Sequence, residues 1–135
     1  MNIGEKFYCS RCLAELQDEC VCTKCGYDSR APSDESALEE GTLLDRMRFQ
    51  VGAVRRKLKG GYVYGAVDYI SQKPVYIFEY FPTCGLRRDI ESGSCVIVPK
   101  SHKSEFEEGM KKLSARLSPH HKVFSENNTL YVFRK

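Results

Sequence analysis

The sequence lacks both a long apolar run and a strong net charge. Its 135 residues carry 21 Lys and Arg against 18 Asp and Glu, which gives a formal net charge of +3. No stretch approaches the roughly 18 apolar residues of a membrane-spanning helix, and the first ten residues lack the apolar centre of a signal peptide. So weak a charge does not by itself indicate nucleic acid or a membrane as partner. These absences predict a soluble protein of the cytoplasm.

The sequence also has few residues arranged for catalysis. We expect His120 and His121 at the surface, because no Cys or acidic residue accompanies them at metal-ligand spacing. No Ser/His/Asp or Cys/His arrangement for nucleophilic catalysis is recognisable either. A free-standing enzyme is therefore the least favoured interpretation, and we expect no catalytic residues.

Cysteine is what the sequence does have, because five of its seven cysteines lie between positions 9 and 25. They include two Cys-x-x-Cys pairs, formed by Cys9, Cys12, Cys22 and Cys25. Two such pairs are typical of a tetrahedral zinc site, and four thiolates would leave no position for water. The predicted Zn²⁺ is therefore structural. Cys20 is a spare thiol, or it replaces Cys22 as a ligand, although the symmetry of the two pairs argues against replacement.

The composition divides the chain into three parts. Residues 1–28 contain the cysteine pairs and form the predicted zinc ribbon. Residues 29–41 contain Pro32, serines and acidic side chains with little to bury, which is typical of a linker. Apolar density rises afterwards, so residues 42–135 are the predicted second domain.

Apolar patterning in the second domain predicts five strands and one helix. The central strand is predicted at 75–81, where β-branched and aromatic residues stand between Pro74 and Pro82. Two strands precede it, joined at Gly60-Gly61. Residues 83–94 contain turn residues and charges, which predicts a loop, and residues 95–98 form a short strand or an extended segment. The spacing of apolar residues predicts a helix over 105–117, preceded by a capping box of Ser104 and Glu107. A hairpin of 122–125 with 129–133 follows. The predicted fold class is α+β, a zinc ribbon followed by a five-stranded antiparallel sheet with one helix.

This order resembles the small N-terminal lobe of eukaryotic-like serine/threonine protein kinases, in particular bacterial ones with a zinc ribbon ahead of the kinase domain. The resemblance rests on four strings, Gly41-Thr42-Leu43-Leu44, Ala66-Val67-Asp68, Glu79-Tyr80-Phe81-Pro82 and Glu105-Phe106-Glu107-Glu108-Gly109. It covers the chain from Cys9 onward and ends where that lobe ends. It therefore implies a lobe that is not followed by the large helical C-lobe.

Most of the nucleotide-binding residues of this kinase family are missing at the corresponding positions of the sequence. The Gly-x-Gly-x-x-Gly turn over the phosphates corresponds to Arg56, Leu58 and Gly61, so one glycine of three is present. The lysine of Val-Ala-Ile-Lys corresponds to Phe78. The 135 residues contain neither His-Arg-Asp with its following Asn nor Asp-Phe-Gly. The resemblance therefore implies a degenerate, pseudokinase-like lobe that does not bind ATP.

Two functions follow as hypotheses. The first is a non-catalytic module, regulatory or scaffolding, that docks on another protein. Its candidate partners are a kinase or a second copy of the chain. The reason for this hypothesis is the apolar surface that an N-lobe without its C-lobe would expose. The second is a nucleic-acid-associated zinc ribbon. Its candidate phosphate contacts are Arg11, Lys24, Arg46, Arg48 and the basic hairpin residues Arg55, Arg56, Lys57 and Lys59.

Overall fold

The computed structural model describes residues 2–3, 6–16, 22–27, 36–82 and 85–134. Cys20 and residues 28–35 of the predicted linker lie outside these ranges. The described strands are β1 (Asn2–Ile3), β2 (Lys6–Tyr8), β3 (Glu15–Leu16), β4 (Leu43–Leu44), β5 (Phe49–Leu58), β6 (Gly61–Asp68), β7 (Lys73–Tyr80), β8 (Arg87–Arg88), β9 (Val96–Ile97), β10 (His121–Glu126) and β11 (Thr129–Arg134). The described helix, α1, spans Lys103–Arg116. The fold is α+β and consists mostly of sheet, as predicted.

The strands form a small ribbon and a larger sheet. Strands β1, β2 and β3 make a three-stranded antiparallel sheet. This sheet, the connection at residues 9–14 and residues 22–27 are together called the ribbon below. The larger sheet has the order β10-β11-β7-β6-β5-β4, and each pair of neighbours is antiparallel. The part of the chain from residue 36 onward is called the sheet domain.

The larger sheet has six strands, so the prediction of five was wrong. The additional strand is β4, which pairs with Gln50 and Phe49 at the start of β5. The connection between them is short because three successive residues, Asp45, Arg46 and Met47, adopt positive φ angles of 52°, 54° and 67°. Few non-glycine residues adopt that conformation. The sequence therefore carries no clear turn signal that would separate β4 from β5.

The segment after β7 also differs from the prediction. Residues 83–94 were expected to form a loop, but Arg87 and Arg88 pair with Ile97 and Val96 in a separate two-stranded ribbon. The predicted extended segment at 95–98 is thus a strand, and it lies outside the larger sheet. Two arginines carry no β-strand signal by composition, so only the pairing with β9 identifies this strand.

Strand β7 is central, as the sequence predicted. It lies between β11 and β6, and its residues alternate between the two faces. Ile77 and Glu79 are fully buried, whereas Tyr76 is 44% exposed. The buried face packs an aromatic cluster, in which the Phe49 ring stacks on Phe124 at 5.9 Å and meets Phe133 edge-on at 4.6 Å. This cluster forms the core.

The start of helix α1 differs from the predicted capping box. A 3₁₀ turn, Lys100–His102, leads directly into the helix, so His102 is the N-cap residue and makes no side-chain capping hydrogen bond. Ser104 lies inside the first turn. Gly109 stands in mid-helix because a Cβ atom there would lie 2.0 Å from the hydroxyl of Tyr80. That hydroxyl donates to the Phe106 carbonyl at 3.1 Å, which fastens the helix to β7.

Two further observations bear on the sequence predictions. Ala37 and Leu38, within the predicted linker, are buried in the core, and the Leu38 amide donates to the Tyr64 hydroxyl at 3.0 Å. That part of the linker therefore packs on the sheet domain. Across the described residues, none of the helices combines the length and apolarity that a membrane crossing demands.

Candidate metal centre and nucleotide-site positions

The four predicted zinc ligands come together at one point of the ribbon. The sulfur atoms of Cys9, Cys12, Cys22 and Cys25 all lie within 4.8 Å of one another. The Cys9 and Cys25 sulfurs are 3.6 Å apart, and those of Cys12 and Cys22 are 3.7 Å apart. A tetrahedral zinc site with Zn–S bonds of about 2.3 Å places its sulfurs about 3.8 Å apart. The four cysteines therefore could hold a metal ion, and their geometry is consistent with zinc.

The backbone presents the two cysteine pairs in matching turns, called knuckles below, at residues 9–13 and 22–26. In the first, the Leu13 amide donates to the Cys9 carbonyl at 2.9 Å, and in the second the Gly26 amide donates to the Cys22 carbonyl at 2.8 Å. Both turns end in the left-handed region, with φ of 66° at Leu13 and 78° at Gly26. The sequence signals the second turn through its glycine, whereas the first pays a small conformational cost at leucine.

The environment of the sulfurs favours a bound cation. Burial raises the pKa of the Cys9 thiol to about 12. Hydrogen bonding from the Cys25 backbone, opposed by burial, lowers the pKa of Cys22 to about 7. Metal ligation requires all four cysteines as thiolates. A soft divalent ion such as Zn²⁺ would offset the cost of charging the buried Cys9 and would match four sulfur donors.

The kinase-like positions surround the turn between β5 and β6. That turn contains only Lys59 and Gly60, and the ladder continues to the Leu58–Gly61 pair. A Cβ atom at position 61 would lie 1.9 Å from the Glu79 carbonyl oxygen, so close packing against β7 requires Gly61. Arg56 and Leu58 are exposed. The turn is thus a tight hairpin, and two of the three residues that the resemblance pairs with the kinase glycines have exposed side chains.

Phe78 lies beneath this hairpin turn. It stands opposite Val63 of β6 and Val132 of β11 and is half-buried. The tip of its ring is 3.8 Å from where a Cβ of Gly60 would be. On the same face a cavity of about 290 Å³ runs between the sheet and the end of α1, lined by Tyr76, Phe78 and Leu113 among others. An aromatic ring therefore fills the space next to the turn.

A buried ionic network on the opposite face was missed by sequence reasoning. Fully buried Glu79 accepts hydrogen bonds from the Tyr64 hydroxyl at 2.8 Å and the Tyr131 hydroxyl at 2.6 Å, and it forms an ion pair with Arg88. Burial, then the charge of Glu79, raises the pKa of both tyrosines. Arg88 also donates to the Ser36 carbonyl at 2.7 Å and the Ser94 carbonyl at 2.8 Å.

This network fastens two connecting segments to the sheet. A sequence signal for it existed, because an acidic residue inside a strand with apolar residues on both faces requires a buried partner. The partner could not be identified, since Arg88 was assigned to a loop.

The basic residues of the nucleic-acid hypothesis fall into two groups. Arg48 is engaged, because its guanidinium makes two hydrogen bonds of 3.1 Å to Asp68 and lies 4.9 Å from the ring centres of Phe49 and Phe133. Arg56, Lys57 and Lys59 are exposed on the hairpin. His120 is exposed as expected, and His121 is partly buried at the start of β10.

Comparison with known proteins gives a structural match. No family model and no curated protein matches the chain. The solved structure described as "PpkA-294 apo form", of a bacterial Ser/Thr kinase, matches with a TM-score of 0.60 and 23% sequence identity, over 74% of this chain and 38% of that one. At this identity the match concerns the fold alone. The chain thus has a kinase-like fold and spans less than half the length of that structure.

Proposed function

We propose that this protein is a non-catalytic, zinc-binding interaction module of the cytoplasm, built on a degenerate kinase N-lobe. The observation that carries the proposal is Phe78, whose ring lies beneath the β5–β6 turn. In the resemblance to kinases, this residue corresponds to the nucleotide-binding lysine. Phosphoryl transfer depends on positioning the phosphates and neutralising their charge. A phenylalanine can do neither.

The surrounding positions support the same conclusion. The close approach of backbone amides to phosphate depends on glycines, and Arg56 and Leu58 replace two of them. Bound at four thiolates, zinc would have no open coordination position. Its role in this proposal is therefore to hold the ribbon together.

The surface of the sheet domain supports docking on another protein. Three large apolar side chains are widely exposed, Ile90 at 95%, Ile70 at 72% and Met47 at 68%. A groove of about 650 Å³ runs between α1 and the β10–β11 hairpin, with Met110 and Leu130 in its lining. The groove is the stronger support for an interaction site, because singly exposed apolar side chains are common on protein surfaces. A regulatory or scaffolding role, with a kinase or a second copy of the chain as partner, accommodates these features.

Titration calorimetry with Mg-ATP tests the loss of nucleotide binding. We expect no binding heat for the natural protein up to millimolar nucleotide. The Phe78→Lys variant restores only the missing positive charge, and its binding heat is the matched comparison. A micromolar site in the natural protein, displaced by ADP, would overturn the proposal. Light scattering of the purified protein then separates the partner classes, because a self-associating module gives twice the monomer mass.

The exposed basic hairpin favours a second candidate function, association with nucleic acid. Arg56, Lys57 and Lys59 are exposed at the end of β5 and in the turn that follows, and Lys24 is exposed on the second knuckle. The Lys57 ammonium also lies 5.4 Å from the centre of the Tyr62 ring. Binding of this kind weakens steeply with salt, because it releases counterions. Filter binding of a short duplex between low and high salt decides it. Retention that falls with salt supports this candidate, and absence of retention at low salt removes it.

A further inference from the structure

The first knuckle does more than present cysteines, because it is docked on the larger sheet. The backbone amide of Ala53 donates to the Ser10 carbonyl at 3.0 Å. The hydroxyl of Tyr76 donates to the Cys12 carbonyl at 2.9 Å. Both acceptors belong to the turn at residues 9–13. The contact therefore depends on the shape of that turn, which its two cysteines define.

An irregularity in β5 supplies one half of this contact. The register between β5 and β6 shifts between Val51 and Val54 and again between Val54 and Arg56. Ala53 lies inside this bulge and has no partner in the β5–β6 register. Buried backbone amides require an acceptor, and the Ser10 carbonyl provides one. A β-bulge bends its strand and changes the direction of the backbone groups. In this protein the bulge directs the Ala53 amide to the first knuckle.

A glycine supplies the other half. A Cβ atom at position 65 would lie 2.4 Å from the Ser10 carbonyl oxygen and 2.9 Å from the Leu13 side chain. Glycine inside a strand weakens it, because glycine has no side chain to pack and loses more conformational entropy on folding. The backbone of Gly65 has no positive φ that would call for glycine. Its reason is therefore the close approach of the knuckle.

The docked knuckle lies on the same face of the sheet as Phe78. Gly65 stands opposite Tyr76, and two residues further along each strand Val63 stands opposite Phe78. Because side chains alternate along a strand, positions two apart share a face. The knuckle and the Phe78 ring thus cover neighbouring parts of the face that carries the nucleotide-site positions.

We propose that the first knuckle is a metal-dependent cap on this face of the sheet. Metal bound at the four cysteines fixes the turn that presents the Ser10 and Cys12 carbonyls, and removal of the metal releases them from Ala53 and Tyr76. Docking and metal binding are then linked, so that each strengthens the other. The proposal rests on the proposed function only in naming the face, and it makes no claim about nucleotide binding.

Hydrogen exchange on the full chain, read at single amides, tests the cap. With zinc bound, we expect the Ala53 amide to be protected, and after chelation to exchange at least about tenfold faster, while the amides shared by β7 and β11 keep their protection. Two results would overturn the proposal. In one, Ala53 stays protected without metal. In the other, the whole sheet loses protection together, which would make the ribbon part of the core and not a cap.

A glycine pair separates docking from metal binding. In the zinc-loaded protein, Gly65→Ala should accelerate exchange at Ala53 about tenfold while zinc content stays unchanged. Gly60→Ala is the matched control, because a Cβ there meets the Phe78 ring at an ordinary 3.8 Å. Equal protection of Ala53 in both variants would refute the cap. Neither readout involves nucleotide, so ATP binding by the natural protein would overturn the proposed function and leave this result standing.

Discussion

The ribbon and the sheet domain are stabilised in different ways. Among the described ribbon residues, the buried ones are Cys9, Ser10 and Cys22, while Phe7 is exposed. The sheet domain instead buries an extended cluster that includes Phe49, Tyr64 and Phe133. A region with so little apolar burial cannot offset the conformational entropy of folding by itself. The comparison teaches that the sheet domain is stabilised by its core, whereas the ribbon needs another source of stability, which in our proposal is zinc at the four cysteines.

Removal of one thiolate should have the largest effect, and only on the ribbon. Structural zinc contributes about 10–16 kcal/mol to the folding of small zinc modules. We expect Cys9→Ser to lose the single bound zinc and the protection of ribbon amides, while the sheet domain melts within a few degrees of the natural protein. Zinc analysis and a thermal melt measure both. Cys95→Ser, outside the cluster, is the control and should retain zinc. A collapse of both regions would show that their stabilities are not separable.

The second largest effect should follow from Glu79→Gln, in the sheet domain. The substitution keeps the shape of the side chain and leaves the Arg88 guanidinium buried without its carboxylate. Breaking a buried ion pair by removing one partner costs about 3–5 kcal/mol. Urea unfolding measures this loss, with Glu105→Gln as control because Glu105 is exposed on the helix. A loss below about 1 kcal/mol would mean that hydrogen bonds from the two tyrosine hydroxyls are enough to stabilise the side chain at position 79 without the ion pair.

A smaller effect, with a pH signature, belongs to Asp68. Burial acts to raise the pKa of this carboxyl, but hydrogen bonds from Arg48 and the Ile70 amide outweigh it, so the pKa lies below its ordinary 3.8. The unfolded chain therefore binds a proton more readily, and stability is lost as the pH falls through the folded pKa.

We expect Asp68→Asn to cost about 1.5–3 kcal/mol at pH 7, the range for hydrogen bonds to charged groups. The difference from the natural protein should narrow below pH 4, because the carboxyl of the unfolded chain takes up a proton there and the folded carboxyl follows at lower pH. Urea unfolding at pH 7 and at pH 3 measures it. A difference that stays constant between these pH values would assign the cost to packing and not to charge.

Sequence reasoning predicted what local patterns encode. The central strand around Ile77, the helix over most of its length and the four-cysteine cluster all follow from short-range spacing. Strand β4 was missed because its turn uses left-handed Asp45 and Arg46, which sequence does not mark. The capping box failed because a 3₁₀ turn ahead of the helix shifted its start to Lys103.

The parts that sequence could not predict join residues distant in the chain. Glu79 and Arg88 are paired through folding of a segment that was assigned to a loop, so their network has no local signature. Likewise, Gly65 has the appearance of a weak point in a strand until Ser10 is seen 55 positions earlier, in contact with it. Such pairs arise from tertiary structure alone.

The smallest predicted effect concerns the junction of the two regions. Tyr76→Phe removes the hydrogen bond to the Cys12 carbonyl, which for a half-exposed hydroxyl is worth about 0.5–1 kcal/mol. We expect unchanged urea unfolding of the sheet domain and a two- to fivefold rise in exchange at Ala53, consistent with that free energy. Tyr69→Phe is the matched control, because Tyr69 is similarly exposed and its hydroxyl donates to Gln50 within the sheet domain. Both variants could instead alter the urea unfolding of the sheet domain equally and leave exchange at the Ala53 amide unchanged. The two regions would then be joined by contacts other than the Tyr76 hydrogen bond. The contrast between a ribbon stabilised by metal and a domain stabilised by its core would become sharper.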